Sequence, residues 1–140
     1  MLAAGKHEQA ESVLFALNRN RPGSAEWHLE SAHLLVTQAF SFRESGAAPL
    51  SIVVARRALD QLAFAESKAL AGDRALRAQI RYSIGLINER LAGTTTQAKA
   101  SYQAAVLLDS QARAPAAALA RLEKATREAD ERQKKKPGNG

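Results

Sequence analysis

Apolar residues along this chain recur at three- and four-residue intervals, the period of a helical face. Between about residues 2 and 19, Ala10, Val13, Leu14 and Leu17 fall at offsets 0, 3, 4 and 7, and Pro22-Gly23 ends the segment. Ser24 has the chemistry of an N-cap, with Glu26 where the helix dipole favours an anion, and predicts a second helix to about Glu44. That helix carries one stripe of Leu29, Ala32, Val36, Ala39 and Phe40 and another of Trp27, Leu34 and Phe42, so neighbours are expected on both sides. Ser45 to Pro49 reads as a turn, with Pro49 tolerated at the start of a third helix that runs to about Leu70. Ile52, Val53 and Val54 alone favour a strand, but Arg56 onward is strongly helix-forming and no second strand is available for pairing.

Ala71-Gly72-Asp73 is a stop followed by a cap. Leu76, Ile80, Ile84, Ile87 and Leu91 then recur at offsets 0, 4, 8, 11 and 15, the clearest helical pattern in the chain. Ala92-Gly93 closes that fourth helix, and Thr94 with Gln97 has the form of a capping box. A fifth helix over 95–109 presents Ala98, Tyr102, Ala105 and Val106 on one face. Pro115 opens a sixth, over 113–134, whose charged end passes into a disordered tail at 135–140.

Gln97-Ala98, Tyr102, Ala105 and Ser110 have the same intervals as Gln9-Ala10, Leu14, Leu17 and Pro22. This spacing resembles the second helix of a tetratricopeptide repeat, and Ile84-Gly85 matches the apolar-small pair at the close crossing in the family's first helix. Residues 78 to 110 depart from the family at Arg81, at Asn88 and in a turn one residue longer than usual. The resemblance implies an all-α fold of about six helices, antiparallel hairpins stacked as a right-handed solenoid, covering residues 1–134 as one domain. Its parts are a half repeat over 2–22, an elongated hairpin over 24–71, a repeat over 74–110 and a capping helix over 113–134. The elongated hairpin exceeds the family unit by roughly two turns per helix, with Ala32 and Ala55 as close-contact positions. A plain six-helix bundle is the alternative.

Composition narrows the chemistry. About a fifth of the residues are alanine, as suits closely packed helices, and the absence of cysteine closes thiol catalysis, disulfides and thiolate metal sites. Of the net charge of +6, half lies in residues 121 to 136, where seven cations face four anions. The remainder is of mixed sign, which argues against a nucleic-acid groove. There is no 18-residue apolar run to span a membrane. The N-terminus does not have the pattern of an export leader, so the cytoplasm is the default location and an exported form with a removed leader is the alternative.

No phosphate loop, serine elbow or dinucleotide fingerprint occurs, and no enzyme, cofactor or metal is expected. Glu30 and His33 share a helical face, but a di-metal carboxylate bundle needs a second such pair, so His28 and His33 are read as solvated or capping. Arg56, Arg57, Arg74, Arg77, Arg81 and Arg90 read either as a carboxylate-recognising groove or, preferably, as solvated faces with Asp73 and Glu89 as partners.

The resemblance implies an inner surface containing Gln79, Tyr82, Ser83, Leu86, Glu89 and Arg90, with Trp27 as a further candidate contact. Tyr82 and Leu86 stand where chaperone-binding members use lysine and asparagine, so a carboxylate clamp is not expected. The implied function is a non-catalytic scaffold for a protein or peptide with an apolar anchor. Two other readings compete: an assembly subunit that forms a homodimer through Val13, Phe15 and Leu17 at its open end, and a basic segment, Arg121 to Lys136, on an acidic surface.

Overall fold

The computed structural model describes residues 23–135, which form five α-helices and no strand. They are α1 (Ala25–Glu44), α2 (Ala48–Lys68), α3 (Arg74–Arg90), α4 (Thr95–Leu108) and α5 (Arg113–Lys135). The helix expected over 2–19, with Val13, Phe15 and Leu17, lies outside the described residues. So do residues 136–140 of the expected tail, whereas Lys135 at its start is still helical.

Local chemistry sets the helix ends. Ser24 accepts a hydrogen bond from the Trp27 amide and Asp73 from the Leu76 amide. Thr94 and Gln97 form the reciprocal capping box that their spacing predicts. At the end of α1 the Ala47 amide reaches the Phe42 carbonyl and the Gly46 amide the Arg43 carbonyl. This paired closure needs a left-handed residue, supplied by Gly46 at φ 84°.

Consecutive helices pack against each other, most extensively α1 with α2 and α3 with α4. Both pairs are antiparallel. Lys68 at the end of α2 donates to the Gly23 carbonyl just ahead of α1, and Arg74 at the start of α3 donates to the Leu107 and Leu108 carbonyls at the end of α4. The main core joins the first pair to α3 through Leu29, Ala32, Ala39, Ala55, Ala58, Leu62, Ile80 and Ile87. Ala32 and Ala55 are fully buried, so the backbones can approach where a larger side chain would hold them apart. A smaller core of Ala98, Tyr102, Ala118 and Leu122 joins α4 to α5, with Tyr82 and Leu86 of α3 against it.

α3 and α4 cross closely at Gly85. A Cβ added at Gly85 would lie 2.4 Å from Cε1 and 2.6 Å from Cδ1 of Tyr102, whose ring is fully buried. Glycine is therefore required by space at Gly85, against the ring of Tyr102. No described helix is long and apolar enough to cross a membrane.

Candidate functional site

A cleft opens between α1 and α3. It encloses about 350 Å³. From α1 it is lined by Leu29, Glu30, His33 and Val36, and from α3 by Gln79, Tyr82, Ser83 and Leu86. His33 Nε2 lies 3.3 Å from Ser83 Oγ across the cleft, and His33 Nδ1 is 3.9 Å from Glu30. A second cavity of about 330 Å³ shares Gln79 and Tyr82 and continues between α3 and the start of α5, reaching Asp109, Arg113 and Pro115. Tyr82 thus stands between two hollows on one face. Its ring packs against that of Tyr102 at 5.7 Å between centroids, which fixes the wall from behind.

The structure brings together Gln79, Tyr82, Ser83 and Leu86 of the residues expected on the inner surface. It places the other three elsewhere. Glu89 turns to α5, where Arg121 donates to it at 2.5 and 2.9 Å and the Tyr102 hydroxyl donates at 2.7 Å. The Arg121 hydrogen bonds, chiefly, and then the Tyr102 hydroxyl hold the Glu89 carboxyl down at about 2 against the opposing effect of burial. The same cluster pushes Tyr102 above the ordinary tyrosine range, through burial first and then the neighbouring carboxylate. Glu89 is thereby committed to joining α3, α4 and α5. Arg90 is exposed, and its carbonyl accepts from the Arg43 guanidinium, which ties the ends of α1 and α3. Trp27 stands edge-on to His28, their centroids 5.0 Å apart, near the start of α1.

His28 corrects the expectation of a solvated histidine. It is only 8% exposed, its ring stacks on Phe64 at 5.4 Å, and Nδ1 lies 2.7 Å from Gln61 Oε1. Its Nε2 is buried without a hydrogen-bond partner. His33, by contrast, has a side chain 46% exposed. The arginines do not pool into one groove: Arg81 pairs with Glu66 at 2.6 Å and Arg74 holds the end of α4. Asp73 is engaged as an N-cap.

The α1 wall was missed by sequence reasoning, although its signal was present. Leu29 and Val36 sit in the first apolar stripe of α1, and Glu30 and His33 stand out by their spacing; only the neighbouring position of α1 and α3 joins them to Tyr82. Among the described residues no group of three or more His, Asp or Glu side chains is placed to hold a metal ion. Compared with known proteins, the chain matches no family model, no curated protein and no solved structure.

Proposed function

We propose that this chain is a non-catalytic interaction scaffold of tetratricopeptide-like build that receives a peptide segment of a partner protein in the cleft between α1 and α3. The observation that carries the reading is the cleft itself: three aliphatic side chains, Leu29, Val36 and Leu86, and the Tyr82 ring surround about 350 Å³ open to solvent. A hollow with an apolar floor and a few polar groups at its edge suits an anchoring side chain with its backbone held at the rim. The hairpin packing and the Gly85–Tyr102 crossing support the repeat-like build.

The test is selection of peptides from a displayed random library on the full chain, followed by titration of the selected peptides against Val36→Glu and Leu86→Glu. Both positions are half-buried at the cleft, and circular dichroism and thermal melting establish that the variants fold. Affinity is expected to fall by about tenfold or more, as when a charge is set into an anchoring pocket. Equal binding to the folded variants would place the interaction elsewhere and overturn the reading.

A further inference from the structure

We infer that the α1–α3 cleft selects a peptide carrying an aliphatic side chain with a lysine or arginine close beside it. This rests on the cleft being the binding site and adds the chemical class of its occupant.

The argument starts from charge. The chain holds 20 Lys and Arg against 14 Asp and Glu, yet among the described residues no Lys or Arg lines the cleft. The one carboxylate among the described residues that line it is Glu30, whose side chain is 34% exposed at the rim. His33 touches that carboxylate only at 3.9 Å, and its other nitrogen faces Ser83. Glu30 thus keeps accepting capacity toward whatever enters, whereas Glu89 on α3 is already engaged by Arg121 and Tyr102 through three hydrogen bonds. Such a site attracts a cation and repels a phosphate or carboxylate, and the low-dielectric wall of Leu29 and Val36 strengthens that preference.

The apolar floor supplies the second requirement. Leu29, Val36 and Leu86 present only methyl groups, and the hollow has room for a branched aliphatic side chain. Glu30 follows Leu29 directly on α1, so the cationic group and the aliphatic anchor of the ligand must lie within a residue or two of each other. The chain's own lysine-rich end does not meet this description, because residues 130–140 contain no Ala, Val, Leu, Ile or Met. The occupant proposed here is a segment of a partner protein, as in the reading of the cleft above.

The experiment uses the displayed random dodecapeptide library on the full chain and on Glu30→Lys and Glu30→Gln. Glu30 lies at the surface, and melting curves check that both substitutions leave the fold intact. The parent chain is expected to enrich an aliphatic residue with Lys or Arg within two positions. Synthetic versions of those peptides should lose about tenfold in affinity on Glu30→Lys and less on Glu30→Gln. Selection on Glu30→Lys should move the enriched charge to Asp or Glu. Peptides that need Val36 and Leu86 but carry no charge preference, or bind Glu30→Lys undiminished, overturn this inference and leave the cleft as the site. Peptides indifferent to Leu86→Glu overturn the cleft reading itself.

Discussion

The two hairpins share a topology and are held together by different means. α1 and α2, of 20 and 21 residues, close over a broad seam of alanine and leucine in which Ala32, Ala39, Ala55, Ala58, Leu62 and Ala65 are all fully buried. α3 and α4, of 17 and 14 residues, meet most tightly at one point, Gly85 against Tyr102, and are then clasped to α5 by Glu89 and Arg121. A broad seam spreads its stabilisation over many contacts and tolerates the loss of one. A pointed one concentrates it in a few residues, and geometry there is exacting. The chain also separates its reporters. Its single tryptophan, Trp27, lies in the first hairpin, and its two tyrosines, Tyr82 and Tyr102, lie in the second.

The most damaging test of the contrast is Tyr102→Ala. Removing a fully buried aromatic costs about 3–5 kcal/mol, and it also leaves Glu89 without its hydroxyl donor. Chemical unfolding followed by Trp27 fluorescence and by circular dichroism should show a loss of helix that precedes the tryptophan transition. A single coincident transition would mean that the hairpins unfold as one unit.

Gly85→Ala should come next. Overpacking a tight crossing costs about 1–3 kcal/mol, because the added carbon meets a buried ring and not the free end of a flexible side chain. Pairing it with Tyr102→Leu should recover part of the loss, a coupling that a double-mutant cycle measures. Additive losses would show that the two positions do not touch in solution.

Acid tests the clasp. The folded-state pKa of Glu89 lies below its unfolded value, so its contribution is full above about pH 4.5 and disappears as pH falls toward about 2. Solvent at Arg121, whose side chain is 47% exposed, reduces the contribution to about 1–2 kcal/mol. Melting temperature should fall across that window in the parent chain and fall less in Glu89→Gln. Identical pH profiles would remove the clasp from the account of stability.

The smallest expected effects come from the helix caps: Thr94→Ala deletes one half of the capping box at the start of α4 and costs about 1 kcal/mol. A Ser24→Ala change at the start of α1 should cost a similar amount or less, since a broad seam lies behind it. Thermal melts of the two variants compare the hairpins directly.

What was legible in the sequence was local. Ser24, Asp73, Thr94 and Gln97 act on amides three residues away, so their roles follow from spacing, and the five described helices begin and end close to where those caps and stops place them. Gln79, Tyr82, Ser83 and Leu86 fall on one face of one helix, and they line the cleft together. The rest was set by pairing across the fold. Arg121 is 32 residues from Glu89, and nothing in the spacing of either shows that they meet. His28 looks polar in any hydropathy pattern, yet Phe64, Trp27 and Gln61 enclose it. The α1 wall became part of the site only through the position of α1 beside α3.

The last helix carries a consequence of its own. α5 is anchored through Pro115, Ala118 and Leu122, and beyond Leu122 every residue to Lys135 is exposed except Thr126, which is partly covered. From there on the backbone depends on its own ladder and on oppositely charged residues one turn apart, such as Glu123 with Arg127 and Glu128 with Arg132. Such a segment opens locally without unfolding the body. Amide hydrogen exchange along α5 should therefore form a gradient, slow at Ala118 and progressively faster toward Lys135, so that one unbroken helix spans protection from that of the core to that of a free peptide.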